Sequence, residues 1–240
     1  MPNTPWTGDL VDAKLYLQSG QFSATLKTSL DVSGVDIFPL DISYSSPNTP
    51  WIGNSNAKLY LQSGQFSATL KTSRDVSGVE VGPSGISWDA TNTPWCGNAD
   101  DKLYLQSGQF SATMKTSRSV AAVDGSPDGI SWDGTNTPWI GDADNKLYLQ
   151  SGQFSATLKT SLAVGAVDSA PFGISWNGSN TPWCGASDDK LYMQSGQFSA
   201  TMKTSLAVGS VNGEPTGIEN TDRPLATDLP SSKLNVLLRM

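Results

Sequence analysis

The chain has 240 residues, 37% of them hydrophobic and 15% charged, with a formal net charge of −7 and no histidine. The apolar share is sufficient for a packed core, which excludes a largely disordered chain. The negative charge disfavours nucleic acid and anionic membranes as partners. No apolar run reaches about 18 residues, so membrane insertion is not expected. The N-terminus has no signal-peptide pattern, and no compartment follows from the sequence.

Internal repeats dominate the sequence. The segment Lys-Leu-Tyr-Leu-Gln-Ser-Gly-Gln-Phe-Ser-Ala-Thr begins at Lys14, Lys58, Lys102 and Lys146, and a fifth copy at Lys190 differs only at Met193. Successive copies start 44 residues apart, as from 14 to 58. A second marker, Asn-Thr-Pro-Trp, ends at Trp6, Trp51, Trp95, Trp139 and Trp183. A fixed period of this length is typical of repeat architectures.

The fourth copy displays a complete repeat in chain order. Alternating residues predict a first strand from Gly129 to Trp132 and a second strand from Thr137 to Ile140. A polar loop follows, and a third strand is expected from Lys146 to Gln150. After the Ser-Gly turn, alternation predicts a fourth strand from Gln153 to Ser161. Each repeat therefore contributes four short antiparallel strands.

Four antiparallel strands in about 44 residues match one blade of a β-propeller, and closing the ring would protect the sheet edges. The first copy lacks its own first strand, and Pro215-Thr216-Gly217-Ile218 supplies one after the fifth copy. We therefore expect an all-β, five-bladed propeller over residues 1–220, closed by N- and C-terminal strands that share one blade. Residues 221–240 form a C-terminal tail.

The run from Ile130 to Trp139 and the Lys-Leu-Tyr-Leu segments resemble blades of the β-propeller superfamily. The near-perfect repeats are similar to propeller repeat proteins from phage and metagenomic sequences, and the five-fold count is similar to that of tachylectin-like lectins. This resemblance implies an architecture for nearly the whole chain, and only an analogy for function.

Eight tryptophans could pack between blades or offer stacking platforms to sugars. For the five that follow proline, and for Trp88, Trp132 and Trp176 in the first strands, packing is the favoured interpretation. Tyr44 and Asn220 stand at the position of the latter three in the other two blades.

Polar loops such as Asp142-Ala143-Asp144 lack a complete calcium ligand set, so no metal and no cofactor is predicted. Cys96 and Cys184 stand where other copies carry isoleucine or threonine, which indicates small buried side chains. They lie two blades apart, which predicts free thiols.

The sequence favours a non-enzymatic, multivalent recognition or adhesion module over an enzyme, because histidine is absent and no single blade has its own carboxylate pair. Its expected partner is a repeated target, such as a surface glycan. The alternative is a structural component of a virus particle or tail fibre, with other virion or fibre proteins as partners. The candidate ligand contacts are a tyrosine and a glutamine of the third strand in every repeat: Tyr16, Gln18, Tyr60, Gln62, Tyr104, Gln106, Tyr148, Gln150, Tyr192 and Gln194.

Overall fold

The computed structural model describes residues 3–8, 13–20, 22–45, 47–64 and 66–219. These residues form twenty strands in five sheets, each with four antiparallel strands. Every regular element within these ranges is a strand, which confirms the all-β prediction. The described part of the chain also has no helix of the length and apolarity needed to cross a membrane.

Each sheet has an axial strand, two middle strands and an outer strand, in that spatial order. The axial strands are β4 (Pro39–Ile42), β8 (Pro83–Ile86), β12 (Pro127–Ile130), β16 (Pro171–Ile174) and β20 (Pro215–Ile218). The first middle strands are β1 (Thr4–Gly8), β5 (Thr49–Gly53), β9 (Asn92–Gly97), β13 (Thr137–Gly141) and β17 (Asn180–Gly185). The second middle strands are β2 (Lys14–Gln18), β6 (Lys58–Gln62), β10 (Lys102–Ser107), β14 (Lys146–Gln150) and β18 (Lys190–Ser195). The outer strands are β3 (Leu26–Asp31), β7 (Leu70–Asp75), β11 (Met114–Ser119), β15 (Leu158–Ala163) and β19 (Met202–Ala207).

The sheets form a closed ring. Each axial strand contacts the axial strands of the two neighbouring sheets, so the five surround a common axis. The last strand, β20, pairs with the first, β1, and places Ile218 opposite Trp6. The chain is therefore a five-bladed β-propeller whose ends share one blade, as the repeat arithmetic predicts. The predicted tail, residues 221–240, lies outside the described residues.

The hydrophobic core lies between blades. In one cluster, Ile52 and Leu59 of one blade pack with Trp95 and Tyr104 of the next. The same arrangement recurs at the other four blade boundaries. The five tryptophans that follow proline are 0% exposed. Their predicted role in inter-blade packing is confirmed.

Two of the four predicted strands of the fourth repeat are shifted: the first is Pro127–Ile130 instead of Gly129 to Trp132, and the fourth is Leu158–Ala163 instead of Gln153 to Ser161. The fourth strand of the fourth repeat begins at Leu158, because Gln153 to Thr157 form a turn instead. Phe154 has a φ of 64°, a left-handed conformation that a bulky residue rarely adopts, and its ring packs in the inter-blade core. The axial strand of the same repeat ends at Ile130, which leaves Trp132 in a connection and outside the sheet.

Candidate functional site

The ten sequence-predicted contact residues lie inside the blades. All are buried, with exposed fractions between 2% and 4%. Each tyrosine stacks on the tryptophan across the strand pair, as in Trp139–Tyr148, with ring centroids 4.1 to 4.3 Å apart. Each glutamine donates its Nε2 hydrogen to the carbonyl of a serine five residues later, at 2.6 Å from Gln62 to Ser67. Ligand contact by these residues stays a prediction, and their observed partners belong to the fold.

The hydroxyls of Tyr60, Tyr104, Tyr148 and Tyr192 also have hydrogen-bond partners. Tyr148 donates to Asp144 Oδ1 at 2.6 Å, and Tyr104 and Tyr192 donate to the equivalent aspartates. Tyr60 donates to Asp36 at 3.3 Å. Burial, with the nearby carboxylate, raises the pKa of Tyr60 to about 12. These phenols remain protonated donors at neutral pH.

The Asp- and Asn-rich loops are held by an inter-blade clasp. The Asp124 carboxylate, from the end of one blade, accepts hydrogen bonds from the backbone N–H groups of Ala143 (3.3 Å) and Asp144 (3.1 Å) in the next blade. Asp36, Glu80 and Asp168 accept equivalent bonds at three further boundaries. These loops thus satisfy their backbone donors with protein carboxylates. Within the described residues, no group of three or more His, Cys, Asp or Glu side chains is arranged to hold a metal ion.

Acidic side chains meet at these clasps. Burial, together with hydrogen bonding and repulsion from Asp144, raises the pKa of Asp124 to about 6. Burial would also raise the pKa of Asp144, but hydrogen bonds from Lys146 and Tyr148 outweigh it and lower that pKa. Asp128 is nearby and almost fully buried, and burial raises its pKa to about 7 even though Asn98 donates to it at 2.7 Å. Asp124 and Asp128 therefore have pKa values closer to neutral pH than an exposed aspartate has.

Half-buried aromatic residues surround one end of the axis. Each follows the last residue of an axial strand by two positions and lies in the connection to the next strand. We call this set the aromatic collar: Tyr44, Trp88, Trp132 and Trp176. The fifth equivalent position is Asn220, outside the described residues. Sequence analysis favoured packing for the three collar tryptophans because it extended the axial strands through them. The earlier strand ends leave them partly exposed.

Polar groups flank the collar. Asp89, Asp133 and Asn177 follow the collar tryptophans directly, and their side chains accept hydrogen bonds from the backbone of their own loops. Gln153 and Gln197 donate from the following blade to Asp89 and Asp133. These contacts fix the connections, so that partly exposed aromatic faces lie beside anchored carboxylates and amides.

The axis itself is closed by backbone packing. Four axial strands carry glycine at equivalent positions, which we call the glycine layer: Gly85, Gly129, Gly173 and Gly217. A Cβ atom on Gly173 would lie 2.5 Å from the Cα of Gly217. The fifth position is Asp41. Its carboxylate accepts hydrogen bonds at 2.9 Å from the backbone N–H groups of Ile42 and Ile86. Complete burial raises its pKa well above the usual range, although these hydrogen bonds oppose the shift.

Two single-copy acids on the axis were missed by sequence reasoning. Asp41 stands where four blades have glycine, and Glu219 stands where four blades have serine. Glu219 accepts hydrogen bonds from Ser43 (3.0 Å) and Ser175 in the blades on either side. The two acids belong to different blades, so they do not form a carboxylate pair within one blade. Comparison of the repeats, position by position, could have found them.

The fold is shared with proteins of known structure. A chain of the nidogen/laminin complex superposes with a TM-score of 0.62 at 12% identity, over 92% of this chain and 98% of that one. The glutaminyl cyclase of Myxococcus xanthus gives 0.51 at 9% identity, over 75% and 69%. A streptogramin B lyase gives 0.50 at 16% identity, over 91% and 88%. At these identities the likeness shows the propeller fold alone. No protein-family model matches the chain, and neither does any curated protein sequence.

Proposed function

We propose that the protein is a non-enzymatic, multivalent recognition module that binds repeated glycans through the aromatic collar. The observation that supports this proposal most strongly is the recurrence of a half-buried aromatic residue beside an anchored polar loop, as at Trp88 with Asp89 and Trp132 with Asp133. Sugar rings present C–H faces to aromatic rings and hydroxyls to carboxylates and amides. A collar tryptophan and the aspartate beside it can therefore contact the C–H face and the hydroxyls of one sugar.

Repetition gives the collar its affinity in this proposal. A single shallow aromatic contact binds weakly, whereas several like contacts on a rigid body raise apparent affinity for a polymer by about 10²–10⁴. The inter-blade cores and clasps hold the blades at fixed spacing, so little conformational entropy is lost when several sites bind together.

The chemistry of the chain supports binding over catalysis. Histidine is absent, which removes the commonest general base. The clasp carboxylates are hydrogen-bonded to loop backbone, and the Asp41 carboxylate is fully buried between axial strands. Propellers also assemble with proteins, as in the nidogen/laminin complex. A virion or tail-fibre component without a glycan ligand is the alternative.

A glycan array with purified protein, immobilised at high density, tests this proposal. We expect binding to polymeric glycans by the natural chain and loss of that binding when Trp88, Trp132 and Trp176 are all replaced by alanine. Val81→Ala is the control, because Val81 is 67% exposed and precedes its axial strand at the end away from the collar. Absence of binding across a broad array, or unchanged binding by the triple variant, would contradict collar recognition and favour the structural role.

A further inference from the structure

Directly beyond the glycine layer, the axial strands place five oxygen-bearing side chains at one level. Their backbone N–H groups make the same hydrogen bond, each to a proline carbonyl of the adjacent strand, which establishes that the positions are equivalent. We call this set the hydroxyl ring: Ser43, Ser87, Ser131, Ser175 and Glu219. All five are buried, and Glu219 is 4% exposed. The ring has one carboxylate and four hydroxyls at the centre of the molecule.

Hydrogen bonding satisfies only part of this ring. Ser43 and Ser175 donate to the two carboxylate oxygens of Glu219. Ser87 and Ser131, on the other side of the axis, are 0% and 1% exposed, and neither hydroxyl oxygen has a hydrogen-bond partner among the described residues. A buried unsatisfied hydroxyl destabilises the folded protein, so two at equivalent positions of adjoining blades call for an explanation. A ligand on the axis between them and Glu219 would supply the missing partner.

The charge near the ring identifies the class of ligand. Glu219 is buried and bears the one carboxylate of the ring, and the buried Asp41 lies in the neighbouring layer, two residues before Ser43. A charged carboxylate in a buried region is unfavourable unless it is neutralised. An anion or an apolar molecule at the ring would add to this cost in free energy, and a cation would reduce it.

We propose that the hydroxyl ring binds one calcium ion on the propeller axis, with the Glu219 carboxylate and the hydroxyls of Ser87 and Ser131 as ligands. Calcium accepts carboxylate and hydroxyl oxygens at about 2.4 Å and often has five of them in one plane. Ser43 and Ser175 donate to the Glu219 carboxylate, so they orient it and are not counted among the ligands. Magnesium requires a smaller, octahedral site. The residues proposed to bind calcium differ from the collar residues proposed to bind glycans. Either proposal can therefore be wrong without affecting the other.

Thermal unfolding of the full chain after chelator treatment and dialysis tests this site. We expect added Ca²⁺ to raise the Tm along a saturating curve and equilibrium dialysis to give about one ion per chain. Mg²⁺, Na⁺ and K⁺ at matched ionic strength should give no saturating rise. The substitution Glu219→Ser installs the residue that the other four blades carry and should abolish the response. Asp75→Ser is the matched control, because Asp75 is exposed and Ser119 occupies its position in the next repeat.

A second variant keeps the test valid if Glu219→Ser fails to fold. Removing both unpartnered hydroxyls with Ser87→Ala and Ser131→Ala should leave the calcium-free protein as stable or more stable, because two unsatisfied groups disappear. The same variant should lose the rise in Tm with Ca²⁺. A natural chain with no saturable response, or an alanine variant that retains the full response, would overturn the calcium site and leave water as the occupant. Neither outcome bears on glycan binding by the collar.

Discussion

Trp6, in the first strand, lies directly opposite Ile218, in the last strand, across an antiparallel strand pair. Both side chains belong to one inter-blade core cluster, together with Cys184 and Leu191 of the neighbouring blade. Closure of the ring thus buries apolar surface and pairs a backbone edge in one step. Because the two strands are at opposite ends of the sequence, the pairing is highly non-local, and its loop-closure entropy opposes formation of the contact.

Deleting residues 214–240 should abolish cooperative folding. The deletion removes β20, exposes the edge of β1 and uncovers Trp6, so we expect aggregation or a broad unfolding transition. A chain that ends at residue 220 retains every described strand and is the control. Circular dichroism melts and size-exclusion chromatography provide the measurement. An equally stable monomer without β20 would contradict closure by this strand.

Tight packing of the glycine layer predicts a second effect on stability. The substitution Gly173→Ala places a Cβ 2.5 Å from the Cα of Gly217, where only backbone movement can relieve the clash. We expect a loss of about 1–3 kcal/mol in the free energy of unfolding. Gly78→Ala is the matched control, since a Cβ there meets no atom of the described residues within 4 Å. Urea denaturation of both variants distinguishes them, and equal stabilities would mean that the axis is less tightly packed.

The sequence predicts the architecture well because the information is local and repeated. Alternation and turn residues define the strands, the period defines the blades, and Pro215 to Ile218 reveals closure. The boundary errors arise where local alternation continues through a turn. The left-handed conformation of Phe154 is imposed by inter-blade packing, which the strand pattern does not encode.

The candidate site is predicted less well, for a different physical reason. Side chains such as Tyr148 and Gln150 have chemistry suited to a ligand, but the same chemistry serves stacking and turn formation inside a blade. Exposure depends on where each strand ends, as at Trp132. The role of Glu219 depends on residues of two other blades, which become its neighbours only when the ring is closed.

Stability should fall as pH rises through the titration of Asp128. Burial raises its folded-state pKa to about 7 from the ordinary aspartate value of 3.8, so the folded protein binds the proton more tightly than the unfolded chain. The resulting stability is fully present below about pH 4 and is lost as pH approaches and passes about 7. Asp128→Asn should flatten this decline and stabilise the protein at pH 8 by about 1–4 kcal/mol. Urea denaturation from pH 4 to 8 provides the measurement.

A control for this pH experiment is Asp75→Asn. Hydrogen bonds from Ser77 lower the pKa of Asp75, so its titration falls below about pH 4 and leaves the decline at higher pH unchanged. If Asp128→Asn shows the same decline as the natural chain, Asp128 does not cause the loss of stability.

The two cysteines should be unreactive in the folded protein. Cys96 and Cys184 are free and 0% exposed, and burial raises the pKa of both thiols well above the usual range. Because the thiolate is the reactive form, a chromogenic disulfide reagent should detect neither thiol at neutral pH. Both should react after unfolding in guanidinium chloride without prior reduction. Rapid reaction in the folded state would show that the blades open readily.

The collar also predicts a spectroscopic signature of ligand binding. Five tryptophans are 0% exposed between blades, and the other three, Trp88, Trp132 and Trp176, are half-buried in the collar. Iodide should therefore quench only the collar tryptophans, and a bound glycan polymer should protect them. The triple alanine variant should lose both effects while its remaining emission stays constant. A monovalent sugar should give the same protection only at concentrations about 10²–10⁴ times higher, counted per sugar, because it lacks multivalent contact. If sugar and polymer protect equally at equal sugar concentration, the sites act singly, and the multivalent mode of recognition is wrong.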